Sequence, residues 1–114
     1  MPPKYQGTII EESLIDNRIM NDLEIINFRI SQDEDPAKRW HLYNVVVTRE
    51  EIDHLADNIK AKWYMHFWHG REVIAVFQGR KFEFDYNDKS TWTPAVSYGL
   101  SLGIPAEQLD FVID

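Results

Sequence analysis

His66 and His69 stand close to Glu72 and Glu83 in the chain, and two imidazoles with a carboxylate oxygen are ligands that zinc accepts. On a strand, residues three apart point to opposite faces. One ion would reach both rings only if a turn at Gly70 twisted them together, so we expect no metal and no cofactor, with His66 hydrogen-bonded inside an aromatic core. A second group, Glu11 and Glu12 with Ser13, Asp16 and His54, has the residue types for general acid–base catalysis. A small hydrolase or isomerase would need those carboxylates and His54 or His66 in one cleft. Adjacent strand residues diverge, however, and a pair of solvated acids at a strand end, capping a turn that begins at Ser13, accounts for the same residues. Ser13, Ser97 and Ser101 lack a G-x-S-x-G context, and there is no G-x-G-x-x-G or phosphate loop. Catalytic residues are therefore not assigned.

The most distinctive segment is WYMHFWH, Trp63 to His69. It precedes two further apolar runs, separated from it and from each other by Gly70-Arg71 and Gly79-Arg80. Glycine at the first central position suits a two-residue type II′ hairpin turn. Two such turns place Phe67 opposite Ile74, Met65 opposite Val76, Val76 opposite Glu83 and Ile74 opposite Asp85. One face then carries Tyr64, His66, Trp68, Val73, Ala75, Phe77, Phe82, Phe84 and Tyr86 and should receive the helices. The other carries Trp63, Met65, Phe67, Ile74 and Val76 beside Glu83 and Asp85. If a helix covers that second face, the segment is simply a central strand packed on both sides. If both helices share the first face, the second is an exposed apolar patch, which on a globular protein marks an interface or a ligand groove. We take these seven residues as the candidate binding site, with Glu83 and Asp85 favouring a cationic or polar rim on what docks there. A homo-oligomer or protein partner is the first expectation and a small-molecule ligand the second.

The elements that would position this surface are readable from pattern. The period of a half-buried strand runs through Ile26, Phe28 and Ile30. After the polar loop SQDEDPAKR comes a strand over residues 40–47, paired to the first as a long-looped hairpin. Residues 5–11 read as a shorter strand, interrupted by Gly7 and suited to an edge. Thr48 and Glu51 in the run TREE form a capping box. Ile52, Leu55, Ala56 and Ile59 then lay one apolar stripe on a helix over residues 49–61. That helix can cross between two parallel strands of one sheet, which would make the sheet mixed. A second helix runs over residues 94–102, from Pro94 to the stop at Gly103, with Gly99 packed closely against the sheet. The apolar residues of DFVI dock the C-terminus.

The chain has 114 residues, 44% of them hydrophobic and 27% charged, which fits one folded domain over residues 1–114. Its 12 Lys and Arg against 19 Asp and Glu leave a net charge of −7. That balance argues against a nucleic-acid partner or an anionic membrane surface. The absence of cysteine removes disulfides and thiolate chemistry and fits a reducing compartment. With no apolar run long enough for a membrane helix and no signal-peptide pattern at the start, we expect a cytoplasmic protein. The fold class expected is α+β: a five- to six-stranded sheet, largely antiparallel or mixed, with both main helices against one face. The function expected is non-enzymatic binding or self-association through the aromatic sheet face.

The runs GTIIEESL, WYMHFWHGREVIAVFQGRKFEF and SYGLSLGIPAEQLDF, spanning Gly7 to Phe111, resemble a family of small uncharacterised prokaryotic proteins. The resemblance implies a stand-alone domain; it implies no activity, ligand or catalytic residue.

Overall fold

Period-2 patterning is realised in six strands: β1 (Tyr5–Ile10), β2 (Glu24–Ile30), β3 (His41–Val47), β4 (Tyr64–His69), β5 (Glu72–Phe77) and β6 (Arg80–Asp85). They come from a computed structural model that describes residues 4–111. Helix α1 (Arg49–Ala56) lies between β3 and β4, and helix α2 (Thr93–Ser101) follows β6. The strands form one sheet in the order β2-β3-β1-β4-β5-β6, and every neighbouring pair is antiparallel. The fold is thus α+β, as its pattern predicts. Because β3 and β4 are both antiparallel to β1, they run parallel to each other, joined through α1 with β1 inserted between them. The crossover exists, but no parallel neighbours result and the sheet is not mixed.

The β4-β5-β6 meander pairs Phe67 with Ile74 and Met65 with Val76, as expected. In its second hairpin Ile74 faces Glu83 and Val76 faces Lys81, two residues from the expected register. The reason is the turn: its central residues are Gln78 and Gly79, and the positive φ of 70° falls on the second of them. A slip of two conserves side-chain parity, so the faces are those the sequence predicts.

What differs is the covering of those faces. Ile52, Leu55 and Ala56 of α1 pack with Met65, Phe67, Ile74 and Val76, together with Tyr5, Ile9, Val45 and Val47. Ala95 of α2, with Ile104, Leu109 and Phe111, packs instead with Val73, Ala75, Phe77 and Phe84. Ile74 and Val76 alternate with Val73, Ala75 and Phe77 along one strand, so the two clusters occupy opposite faces and the helices do too. The expectation of both helices on one face is overturned. The physical cause is that β5 is apolar on both sides, and each large side chain withdrawn from water there contributes roughly 1.5–3 kcal/mol. Local bonds hold each helix in place. The Gly79 N–H donates to the Ala56 carbonyl at 2.9 Å, satisfying an open end of α1, and Trp92 Nε1 donates to the Asp85 carbonyl at 2.9 Å just before α2.

Helix α1 starts at the predicted capping box, Thr48 accepting from the Glu51 N–H and Glu51 from the Thr48 N–H. It stops at Ala56, short of 61, because the next residues bond elsewhere. Ile15 N–H donates to Asn58 O at 2.7 Å and Lys60 N–H to Ser13 O at 2.8 Å, and Ile59 bridges to Leu14. Strand β1 is central, not an edge. A β-carbon on Gly7 would come 2.7 Å from the His66 carbonyl oxygen and 2.8 Å from Phe67 Cε1, so glycine is what lets the Phe67 ring lie across the strand. Gly99 is likewise tight, but the atoms nearest a β-carbon there belong to Leu109, whose Cδ2 would stand at 2.6 Å, rather than to a strand. Phe111 is fully buried; the remainder of the predicted C-terminal docking segment, Val112 and Ile113, lies outside the described residues. Among the described residues no helix is long and apolar enough to cross a membrane.

Candidate functional site

The predicted binding residues are not an open surface. Met65, Phe67, Ile74 and Val76 are all at most 4% exposed, beneath α1. Glu83 pairs with Arg49, which also meets Glu72 at 2.9 Å, and Asp85 lies 3.5 Å from Arg71. The acidic rim is therefore internally compensated. Of the five apolar residues, Trp63 alone keeps a role at the surface. It is half-buried against the α1-side core and meets Trp40 edge-to-face at 5.4 Å.

The free sheet surface lies on the other side. Helix α2 and the segment after it cover β4, β5 and β6, leaving the same face of β2, β3 and β1 without a helix. Thr8 and Ile10 of β1 and Leu42, Asn44 and Val46 of β3 are half-buried there, and Gln6 is exposed. A groove of about 400 Å³ runs along this region. Its floor is Thr8, Ile10 and Leu42, Trp40 and Trp63 close one end, and Tyr64, His66 and Ile104 form the side toward the α2 layer. Lys62 and Gln108 sit at its margin. A smaller hollow of about 200 Å³, sharing Thr8, continues over Asn44 to Ile26, Arg29 and Trp68. Tyr64 donates its hydroxyl to the Gln108 carbonyl, and burial first, then the charge of Asp110, pushes its hydroxyl up to about 12. It is a neutral wall at any physiological pH. Nothing in the local sequence distinguishes Thr8, Ile10 or Leu42 from ordinary strand residues; Trp40, large and next to a polar loop, is the one local signal.

The histidines are separated as strand geometry requires. His66 stacks with Tyr64 at 6.4 Å and meets Phe111 edge-on at 5.7 Å on the α2 side, whereas His69 meets Tyr5 at 5.9 Å on the α1 side. No group of three or more metal-ligating side chains occurs among the described residues.

Of the acid–base candidates, Asp16 and His54 line one hollow, whereas Glu11, Glu12 and Ser13 lie outside it. That hollow, of about 690 Å³, is lined by Asp16, Glu51, His54 and Asn58 among others. Asp16, Glu51 and Asn58 there have structural partners: the Arg18 side chain donates to Asp16 at 2.6 and 2.9 Å and holds that carboxyl down at about 2. Glu51 belongs to the capping box, and Asn58 bonds the Asp16 backbone at 2.8 and 2.9 Å. Ser13 donates to the Ile10 carbonyl at 2.6 Å. Glu11 and Glu12, in a 3-10 turn after β1, reach across to β3 rather than to His54. Glu11 accepts from the Tyr43 hydroxyl at 2.6 Å. Glu12 lies 2.7 Å from His41 Nδ1 and accepts from the His41 N–H at 2.8 Å.

Burial pushes the Glu12 carboxyl up, but the hydrogen bonds from the His41 ring and backbone outweigh it and hold it below its ordinary 4.5. The Glu12 hydrogen bond holds the His41 ring above its ordinary 6.5. The depressed carboxyl contributes stability above 4.5 that is lost as pH falls through its folded value. The raised imidazole contributes stability below 6.5 that is lost as pH rises through its folded value. The pair therefore stabilises most between pH 4.5 and 6.5. His41→Gln should lower Tm more at about pH 5.5 than at about pH 8.5, measured by thermal denaturation of both proteins; equal losses at the two values would show that the pair carries no such linkage.

No family model matches the chain, and neither a curated protein nor a solved structure matches it. Its class is accordingly defined by fold: an α+β protein with one antiparallel sheet, fully covered on one half and bare on one side of the other.

Proposed function

We propose that this protein is a non-enzymatic, cytoplasmic binding module whose working surface is the open half of the sheet. The Trp40–Trp63 groove receives a flat apolar or aromatic group of a small ligand. The observation that carries this reading is the groove itself, an aliphatic floor of about 400 Å³ closed by two tryptophans meeting edge-to-face. Ligand sites are apolar hollows with a few polar groups at the margin, and Lys62 and Gln108 supply those here. Tryptophan adds a large contact area with a polar N–H handle. The cytoplasmic part rests on the lack of cysteine and the acidic balance. The acid–base alternative has less support, since His66 shares its groove with no carboxylate, Glu12 is tied to His41, and of the carboxylates beside His54 Asp16 is tied to Arg18 and Glu51 to the capping box.

The test is a fragment screen with indole and benzoate, observed at the indole N–H resonances of the four tryptophans. Trp40 and Trp63 should shift while buried Trp92 does not, and Leu42→Arg should abolish the shifts with the far-ultraviolet dichroism unchanged. Absence of any shift, or shifts that survive Leu42→Arg, would end the proposal.

A further inference from the structure

We propose that β2 is a homodimer edge, pairing antiparallel with the β2 of a second copy so that Glu24 faces the partner's Arg29 and Ile25 faces the partner's Phe28. This surface is the outer edge of the sheet, and the inference stands independently of the groove reading. An edge strand presents a row of unpaired backbone N–H and C=O groups, which folded proteins guard with charge. β6, the other edge, is guarded in that way by Arg80, Lys81, Glu83 and Asp85. β2 is not. Its seven residues are exposed throughout, with Ile25 43%, Ile26 60%, Phe28 47% and Ile30 44% exposed, and its charges are one of each sign.

The bulge selects the occupant. On β3, Glu24 faces Val46 and Arg29 faces Leu42, while Ile25 faces Val45 and Phe28 faces Tyr43; the register shifts between Ile25 and Asn27. Val46 and Leu42 lie on one face of β3, Val45 and Tyr43 on the other. The extra residue Ile26 therefore gives Glu24 and Arg29 the same face and the same backbone orientation, and does likewise for Ile25 and Phe28. In a regular strand, residues five or three apart would point to opposite faces. About a two-fold axis between Ile26 and Asn27, β2 is thus complementary to itself: two ion pairs on one face, two apolar pairs on the other. An axis through Phe28 loses both ion pairs, and one through Arg29 sets like charges opposite, which is unfavourable. Arg29 has no ion-pair partner among the described residues, and Glu24 has Lys4 at 3.6 Å in an exposed contact. Asn27 Oδ1 accepts from the Phe28 N–H at 2.7 Å, standing in locally for a strand partner. A two-fold interface of this kind closes on itself and does not propagate.

Sedimentation equilibrium of the full chain tests the pairing, with Glu24→Arg and Arg29→Glu each alone, mixed, and combined in one chain. The wild type should be a dimer, and each single variant should dissociate about tenfold more readily, since two attractive cross-strand pairs become two repulsive ones. An equimolar mixture of the two single variants, and the doubly substituted chain, should regain wild-type association. All these positions are exposed, so folding is checked by dichroism and should not change. A wild-type monomer, a dimer indifferent to both single variants, or a mixture that does not recover would overturn the proposal. The fragment shifts at Trp40 and Trp63 should be the same in Glu24→Arg, whose side chain lines neither hollow, as in the wild type, which separates this outcome from that of the groove.

Discussion

Phe67→Ala should lower stability by about 3–5 kcal/mol, seen as an early midpoint in urea denaturation, with the remaining folded protein unable to reach wild-type Tm at any pH. Phe67 is fully buried in the α1-side core, faces Ile74 across β5 and pairs with Gly7 across β1. Removing the ring opens a cavity at the junction of the central strands, where neighbours held on both sides cannot collapse into it. Had this face been exposed, the same substitution would be nearly neutral. A loss under about 1 kcal/mol would therefore mean that α1 does not cover the face in solution.

Gly7→Ala is the second large effect, and it arises from the opposite fault. A methyl group there meets Phe67 Cε1 at 2.8 Å and the His66 carbonyl oxygen at 2.7 Å, and the carbonyl belongs to a paired strand that cannot swing away. Overpacking of this kind costs about 1–3 kcal/mol, or a Tm lower by about 4–12 °C for a domain near this size. Because both substitutions act on one contact, their costs should not add. The ring's share of the clash disappears in Phe67→Ala, and the carbonyl's share remains. A double variant as unstable as the sum of the singles would refute the shared contact, measured by urea denaturation of all four proteins.

Local chemistry was legible where its partners were close in the chain. The TREE capping box is present as drawn because all its atoms lie within one helical turn. The faces of β4, β5 and β6 are right because parity survives even a misplaced turn, and Gly79 took the second central position rather than the first. What local pattern cannot carry is long-range pairing. Gly7 reads as an interruption in an edge strand, yet β1 sits between β3 and β4 because Tyr5 meets Val47 and Gly7 meets Phe67. With β1 placed centrally, α1 is drawn to one face and α2 to the other, and Met65, Phe67, Ile74 and Val76, taken for a binding surface, become core. The parity of Ile26, Phe28 and Ile30 predicts one apolar stripe, but the bulge turns Ile26 toward the smaller hollow with Arg29. The open surface was therefore missed for the same reason the covered one was misread: both depend on which strand stands beside which.

The insertion of β1 also orders the assembly of the molecule. The β4-β5-β6 meander and the β2-β3 pair are each built from contacts between successive strands, which form quickly because little loop entropy is lost in closing them. β1 joins the two, and among the described residues its backbone ladder to the meander consists of Gln6 with Trp68 and Gly7 with Phe67. The N-terminal strand is thus the keystone of the sheet: its pairings with β3 and β4 span the longest sequence separations in the sheet, so we expect the two local blocks to form first and to wait for it. During that wait the edges of β3 and β4 are both open, so the interval before β1 docks is the one in which a newly made chain is most vulnerable to pairing with the wrong neighbour.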